Sequence, residues 1–254
     1  MTARDLSGLR ILIVGASSGM GRQVALRMAE QGATVALTAR RTELLDELAY
    51  EITSRGGQCT THPADATDPA AAVAVVEEII AGGGIDVALL NAGGAPAVDL
   101  HSVDAATVTG YMRSNYDVAV NYLVPLTTYM TGRGKGTIAH TNSLAGWYGI
   151  PLQGPYSAAK AALRVLFDSY RIEYANSGIR FISIYPGFVR TEATIGDGMP
   201  APGELSEEVA ADHIVKALLR NNDSYSFPRS TTTAVHAGRL LPTKLRHAVL
   251  RRMD

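Results

Sequence analysis

The chain has 254 residues, 46% of them apolar and 19% charged, and its net charge is −1. This composition excludes a disordered chain, and the small net charge predicts no attraction to nucleic acid or to an anionic membrane. One cysteine, no apolar leader and no apolar stretch near the ~18–20 residues that span a bilayer together predict a cytoplasmic protein without disulfides.

Six short runs rich in branched apolar residues are predicted as strands. In chain order they are 10–14, 34–38, 58–62, 85–90, 136–141 and 179–185. Several are apolar throughout rather than alternating, which is typical of parallel strands covered on both faces. Amphipathic stretches lie between them, so the pattern predicts an α/β fold: a doubly wound parallel sheet (a Rossmann fold) in a single domain, with helices on both faces.

The helical stretches carry start and stop signals. Asp68 and Pro69 form an N-cap followed by proline at the first helical position, and that helix is predicted to stop at the glycines 82–84. Thr42 and Ser206 each precede acidic residues, which are favoured at a helix N-terminus. Two long helices are predicted at about 104–131 and 155–176, and a shorter one at 22–31.

The first strand is followed by the sequence GASSGMG, which places Gly15, Gly19 and Gly21 directly before a helix. Glycines let a pyrophosphate approach the backbone, and the helix N-terminus offers unpaired N–H groups with a positive dipole end. The pattern therefore predicts a dinucleotide phosphate site. A tight strand-to-helix turn without a ligand is the alternative.

The end of the second strand indicates which dinucleotide is bound. A carboxylate there would accept hydrogen bonds from the ribose 2′-hydroxyl of NAD. This chain instead has Ala39 followed by Arg40 and Arg41, which suit a 2′-phosphate. The sequence therefore favours NADP(H) as the cofactor, and leaves open which arginine is the main ligand. Solvated arginines at a helix start are the alternative.

A possible acid–base set follows the fifth predicted strand. Ser143 lies just past that strand, and Tyr156 and Lys160 are four residues apart, on one face of a predicted helix. Tyrosine has an ordinary pKa near 10, so it needs a nearby cation to relay protons at neutral pH. Lys160 and an oxidised nicotinamide would provide that charge.

These motifs together resemble the short-chain dehydrogenase/reductase family. The resemblance rests on GASSGMG, on the NAG at 91–93, on Ser143 with Tyr156-x-x-x-Lys160, and on PGFVRT at 186–191, and it covers about 8–228. It implies an NADP(H)-dependent oxidoreductase that transfers a hydride between the nicotinamide and a carbonyl or secondary alcohol.

The resemblance also implies roles for the catalytic residues. Tyr156 would be the general acid in ketone reduction, and Ser143 would hydrogen-bond the substrate oxygen. Lys160 would hold the nicotinamide ribose and lower the pKa of Tyr156. Asn115 would anchor a water that links Lys160 to solvent, and Asn121 is a competing candidate whose spacing to Ser143 is too short.

Cofactor contacts are implied at the glycine turn, at the ends of the next three strands and in PGFVRT. Asp65 and Ala66 would contact the adenine. The full set is Gly15, Ser17, Ser18, Gly19, Met20, Gly21, Arg40, Arg41, Asp65, Ala66, Asn91, Ala92, Gly93, Tyr156, Lys160, Pro186, Gly187, Val189 and Thr191. The six histidines are scattered without metal-ligand spacing, so no metal site is expected.

Aromatic and aliphatic side chains flank the predicted site and indicate an apolar substrate pocket. The candidate substrate residues are Ser143, Leu144, Trp147, Tyr148, Gln153, Tyr156, Tyr185, Phe188 and Met199. The stretch 191–208 has the glycine and proline content of a mobile lid. A lipid-like, aromatic or polycyclic ketone fits this pocket. A phosphorylated sugar does not, because no spare basic cluster lies beside it.

Two other functions remain possible: an NAD-dependent alcohol dehydrogenase of the same family, and a dinucleotide-binding sensor without catalysis. The retained Tyr156 and Lys160 argue against a sensor.

Small residues on the helix 155–176 predict a dimer or tetramer. The basic tail 229–254 is predicted to form a short amphipathic helix that closes over the protein's own substrate pocket or packs on a neighbouring subunit, with a weak membrane-surface contact as the alternative.

Overall fold

The computed structural model describes residues 6–192, 201, 203–220 and 222–251. Within these ranges seven parallel strands form one sheet in the order β3-β2-β1-β4-β5-β6-β7. The strands are β1 Arg10–Val14, β2 Thr34–Ala39, β3 Gln58–Pro63, β4 Val87–Leu90, β5 Gly136–Thr141, β6 Ile179–Pro186 and β7 Ser224–Phe227. The helices are α1 Gly19–Glu30, α2 Thr42–Ser54, α3 Pro69–Ala81, α4 Ala105–Met112, α5 Val118–Arg133, α6 Gly154–Glu173, α7 Glu207–Leu219, α8 Arg229–Leu240 and α9 Thr243–Leu250.

The sheet has an apolar core on each face. In β1, Ile11 and Ile13 belong to one core, and Leu12 and Val14 belong to the other. Helices α1, α2 and α7 cover the first face, while α3, α5 and α6 cover the second. Because successive side chains of a strand point to opposite faces, two-sided burial requires strands that are apolar throughout. The predicted doubly wound α/β fold is confirmed.

Local capping chemistry fixes where helices begin. The Asp68 carboxylate accepts hydrogen bonds from the backbone N–H groups of Ala70 and Ala71, and Pro69 is the first residue of α3. Ser206 accepts a bond from the Val209 N–H at the start of α7. These contacts satisfy donors that have no partner inside the helix, as the sequence predicted.

The structure differs from the sequence prediction at three elements. Strand β4 begins at Val87 rather than at residue 85, because Asp86 accepts a bond from the Arg10 backbone and pairs with Arg133. The helix predicted at 104–131 is interrupted by a π-helical turn, Arg113–Asp117, which helical periodicity does not reveal. Strand β7 was not predicted, because it is a short polar edge strand in which only Phe227 is buried.

The strand order reverses between β1 and β4. From β1 the chain continues outward through β2 and β3 on one side of the sheet, and it then returns to place β4 on the other side of β1. In open α/β sheets this reversal leaves a crevice beyond the carboxyl ends of the strands. The glycine turn after β1 and the NAG sequence after β4 lie at this point. The fold therefore brings the predicted cofactor motifs together.

Candidate active site

A cavity of about 1570 Å³ opens at this crevice. The glycine turn and the ends of β2 and β3 line one part, and α8 and α9 line the opposite part, which we call the substrate end. Predicted site residues in the cavity wall are Gly15, Ser17, Ser18, Gly19, Met20, Arg40, Arg41, Asp65, Ala66, Asn91, Ala92, Gly93, Ser143, Leu144, Tyr148, Gln153, Tyr156, Lys160, Pro186, Gly187, Phe188, Val189 and Thr191. Met199 lies outside the described residues.

The glycine turn has the backbone that a phosphate site requires. Gly15 and Gly19 have positive φ angles of 84° and 59°, which L side chains rarely adopt. Ser18 precedes α1, but its side chain makes no capping bond, and the first turn of that helix contains no acidic residue. The N–H groups at this helix N-terminus therefore face the cavity without a side-chain cap, and they suit a pyrophosphate.

Gly21 was predicted to contact the cofactor, but it lies behind the cavity wall. A Cβ atom built there would overlap the Gly15 carbonyl and lie 2.8 Å from Asn91 Nδ2. Asn91 Nδ2 also donates to the Gly15 carbonyl at 3.4 Å, while its Oδ1 accepts from Thr141 Oγ1 at 2.8 Å. Gly21 therefore allows α1 to pack closely against the turn.

Of the two arginines after β2, Arg41 reaches the glycine turn. Its guanidinium donates to Ser18 Oγ at 2.5 Å and to Ser17 Oγ at 3.4 Å, and it pairs with Glu192 at 3.1 Å. Arg40 is exposed in the same wall. Two cations and two serine hydroxyls thus lie together beside β2, as a 2′-phosphate site would need.

The three predicted catalytic residues converge in the middle of the cavity. Ser143 is the N-cap of a short 3₁₀ turn after β5, where its Oγ accepts from the Ala145 N–H at 3.1 Å, and it also hydrogen-bonds the Tyr156 hydroxyl. Lys160 Nζ donates to the Thr141 carbonyl at 2.8 Å and lies 5.6 Å from the centroid of the Tyr156 ring.

Asn115 lies in the π-helical turn, is fully buried, and is not in the cavity wall. Its Oδ1 accepts from the Gly94 N–H at 3.1 Å. A Cβ built on Gly93 would lie 2.7 Å from Asn115 Oδ1 and 3.5 Å from Lys160 Nζ, so both groups lie behind that glycine. Asn121 instead donates to the Ala66 carbonyl at 2.9 Å, beside the end of β3.

The family model described as short chain dehydrogenase matches residues 10–198. The chain belongs to the short-chain dehydrogenase family. Its members are oxidoreductases that bind a nicotinamide dinucleotide and act on alcohols or ketones. The match covers the glycine turn, the NAG sequence and the serine, tyrosine and lysine of the central cavity.

Similar proteins extend the match over the whole chain. An uncharacterized oxidoreductase from Myxococcus xanthus is 31% identical over 253 residues, 98% of this chain and 99% of the relative. A short-chain type dehydrogenase/reductase structure from Mycobacterium marinum has a TM-score of 0.81 and 28% identity, covering 94% of this chain and 98% of that one. A gluconate 5-dehydrogenase from Burkholderia cenocepacia, in complex with NADP and tartrate, has a TM-score of 0.80 and 25% identity, covering 89% and 96%.

Burial shifts the pKa values of both titratable groups in this short-chain dehydrogenase site. It raises the pKa of Tyr156 to about 12, and the hydrogen bond to Ser143 acts in the opposite direction. It lowers the pKa of Lys160 to about 8. Lys160 was expected to lower the pKa of Tyr156. In the structure the contact that lowers this pKa is the hydrogen bond to Ser143.

The lowered pKa of Lys160 predicts a pH-dependent stability. Between the folded pKa of about 8 and the ordinary value of 10.5, Lys160 binds more protons in the unfolded chain than in the folded one, so the contribution of this residue to stability rises with pH across that window. Between pH 7 and pH 10.5 the wild type should therefore gain about 2–3 kcal/mol relative to Lys160→Met. Urea unfolding at both pH values measures this gain, and an unchanged difference between the two proteins would contradict it.

Two neighbours of the predicted catalytic residues were not identified from the sequence. Asn142 Nδ2 donates to the Lys160 carbonyl at 3.0 Å, and its Oδ1 accepts from the Ser143 N–H at 2.8 Å. The Thr141 carbonyl accepts from Lys160 Nζ. The sequence HTNS, with polar residues at a strand end directly before Ser143, was the available signal. Asn142 and Thr141 fix the serine and the lysine relative to β5.

Two predicted substrate residues, Trp147 and Tyr185, lie outside the cavity wall. The Trp147 ring packs between the guanidinium groups of Arg164 and Arg239, 4.5 and 4.0 Å from its centroid, and against the Tyr185 ring. Trp147 therefore joins α6 to α8 and is not available to a substrate. Gln153 does line the cavity, and its Nε2 donates to the Ala95 carbonyl at 3.0 Å.

His140, on β5, is buried in the sheet. His140 Nε2 shares a hydrogen bond of 2.8 Å with Ser183 Oγ, and burial holds the pKa of this histidine well below its usual value. In the part of the chain that the structure describes, no three His, Cys, Asp or Glu side chains are grouped as a metal ion requires.

Among the described residues, no helix has the length and apolar character to cross a membrane.

Proposed function

We propose that the protein is an NADP(H)-dependent enzyme that reduces an apolar ketone, or oxidises the corresponding secondary alcohol. The observation that carries this proposal is the convergence of Ser143, Tyr156 and Lys160 in the cavity that the glycine turn also lines. A phosphate cradle and a proton donor in one cavity are what carbonyl reduction by a dinucleotide needs.

The described residues fit a nicotinamide dinucleotide. The uncapped N-terminus of α1 and the positive-φ glycines would hold the pyrophosphate, and Asp65 with Ala66 would lie at the adenine. Lys160 would hold the nicotinamide ribose, and Pro186, Gly187, Val189 and Thr191 would surround the nicotinamide. The bound cofactor would supply the hydride for reduction, or accept it in the reverse direction.

The protein's own groups would handle the substrate oxygen and its proton. Ser143 would hydrogen-bond the carbonyl oxygen, and the Tyr156 hydroxyl would deliver the proton as charge develops there. With a pKa near 12, Tyr156 is protonated at neutral pH, which is the form that reduction requires. Lys160 would replenish that proton, and Asn115, next to it behind Gly93, would anchor the water that connects it to solvent.

The preference for NADP(H) rests on Arg41, Arg40 and the serines of the turn. Charge-assisted hydrogen bonds contribute about 1.5–3 kcal/mol each, so Arg41→Ala should weaken NADPH binding about tenfold to a hundredfold and leave NADH binding unchanged. Glu192→Gln removes the carboxylate that competes for Arg41 and should strengthen NADPH binding. Fluorescence titration with both cofactors measures these effects. Equal affinity of the wild type for NADH and NADPH would favour an NAD-dependent alcohol dehydrogenase instead.

An apolar substrate is favoured by the composition of the substrate end. Leu144, Tyr148 and Phe188 line it together with Val235 and Leu241. The test is a panel of aliphatic, aromatic and polycyclic ketones, with NADPH consumption followed by absorbance. If NADPH binds but no ketone or alcohol turns over, a non-catalytic sensor becomes the better description.

The proposal also includes a dimer or tetramer, a cytoplasmic location and a role for the tail helices. Val124 of α5 and Val165 and Ile172 of α6 are exposed by 50%, 53% and 78%, which supports pairing of these helices in a dimer or tetramer. The single cysteine, Cys59, supports a reducing, cytoplasmic location. The tail helices α8 and α9 would close the cavity of their own chain, since they form part of its wall.

A further inference from the structure

The substrate end contains a cation that the proposed reaction does not use. Arg246 of α9 is half-buried and lies in the cavity wall. Its guanidinium lies 5.5 Å from the centroid of the Tyr148 ring, which is also in that wall. Tyr148 is in turn held by α8, because a Cβ built on Gly238 would lie 3.1 Å from the Tyr148 hydroxyl. The Arg246 guanidinium is therefore placed against a ring that α8 also contacts.

Apart from Arg40, which lies at the proposed 2′-phosphate site, the charged groups compared with Arg246 have partners. Glu192 pairs with Arg41 at 3.1 Å, Glu204 pairs with Arg190 at 2.9 Å, and Lys160 donates to the Thr141 carbonyl. For Arg246, no carboxylate of the described residues lies within ion-pair distance. A guanidinium fixed in a cavity wall without an anion attracts one from solution.

Apolar side chains of α8 and α9 line the cavity together with Arg246. Val249 and Leu250 of the same helix line the cavity beside it, and Val235 and Leu241 line it from α8 and the turn that follows. Apolar walls lower the local dielectric constant, so an ion pair formed there is stronger than one at an open surface. They also favour a ligand whose anionic group is attached to an apolar body.

We propose that the substrate is an amphipathic keto acid, whose carbonyl lies at Ser143 and Tyr156 and whose carboxylate binds Arg246. This proposal rests on the proposed function and narrows its substrate class. A planar guanidinium matches a carboxylate with two parallel hydrogen bonds, which a lysine would not provide. The sequence suggested no basic group beside the pocket, because Arg246 is far from the catalytic motifs along the chain.

The test compares methyl-ketone carboxylic acids of increasing chain length with their methyl esters, at saturating NADPH. The wild type should prefer the acid of the best length over its ester by about tenfold in kcat/KM. Arg246→Met keeps an apolar side chain against Tyr148 and should remove that preference through KM, with kcat and ester turnover unchanged. Arg246→Lys should restore it in part. Lys244→Met removes an equal charge from an exposed position of α9 and should behave as the wild type.

Binding gives a second readout that does not depend on turnover. Trp147 is the only tryptophan of the chain and contacts α8 through Arg239, so its fluorescence reports on this end of the cavity. Titration with the keto acid in the presence of NADP⁺ should saturate in the wild type and weaken about tenfold in Arg246→Met. Equal turnover of acids and esters, or equal losses for both in Arg246→Met, would overturn the proposal. Failure to reduce any ketone would instead overturn the proposed function.

Discussion

Tyr156→Phe should lower kcat about a hundredfold to ten-thousandfold, the range expected when a general acid is removed. The substitution deletes one hydroxyl from the cavity wall and leaves the ring in place. The hydrogen bond to Ser143 is lost, at a cost of about 0.5–1.5 kcal/mol of stability, so the fold should persist. NADPH affinity should stay close to that of the wild type, because Lys160 and the glycine turn are unchanged. Steady-state kinetics and a cofactor titration measure the two effects separately.

Tyr170→Phe is the matched control for this substitution. Tyr170 is on the same helix, α6, but its ring packs against Tyr174 and Phe181 and is not part of the cavity wall. Its variant should retain wild-type turnover. A Tyr156→Phe enzyme with more than about a tenth of wild-type kcat on its best ketone would contradict the assignment of Tyr156 as the acid.

Gly21→Ala should have the largest effect on stability. The added Cβ would overlap the Gly15 carbonyl and lie 2.8 Å from Asn91 Nδ2, and neither the backbone carbonyl nor an amide held by Thr141 can move away easily. Overpacking of this kind costs about 3 kcal/mol or more, so the melting temperature should fall on the order of 10 °C. NADPH binding should weaken as well, because α1 must shift away from the glycine turn.

Gly132→Ala provides the control for Gly21→Ala. Gly132 lies in α5, and a Cβ built there meets no atom within 4 Å. Alanine in a helix interior is favoured over glycine by about 0.5–1 kcal/mol, so this variant should be as stable as the wild type or slightly more stable. If Gly21→Ala melts at the wild-type temperature, the proposed close approach of α1 to the turn is wrong.

Much of the fold could be predicted because local signals agree with one another. Apolar runs such as 10–14 can only be buried on both faces, and Asp68–Pro69 marks a helix start by its own chemistry. Strand β7 escaped prediction because its four residues are mostly polar and its single partner, β6, is distant in the chain. The π-helical turn escaped because a local change of helical pitch leaves no trace in the spacing of apolar residues.

The candidate site was predictable where motifs carry it and unpredictable where it depends on packing. Ser143, Tyr156 and Lys160 follow from their place after a strand, their spacing and the family resemblance, and the structure brings them together. Trp147 looked like a substrate residue by its position after Ser143, but two arginines from different helices hold it away from the cavity. The tail was predicted to cover the pocket or a neighbouring subunit, but Arg246 was not identified as a pocket residue, because only the path of α8 and α9 decides which side chains of the tail line the cavity.

The most direct test of the central claim is an isotope-transfer measurement. NADPH carrying deuterium on the nicotinamide carbon that donates hydride is incubated with the wild type and with its best ketone, and the product is analysed by mass spectrometry. If the central cavity is a carbonyl reductase site, the alcohol should contain one deuterium on its carbinol carbon, and Tyr156→Phe should form almost none of this product in the same time. Alcohol without deuterium, or equal transfer by the two proteins, would contradict the account.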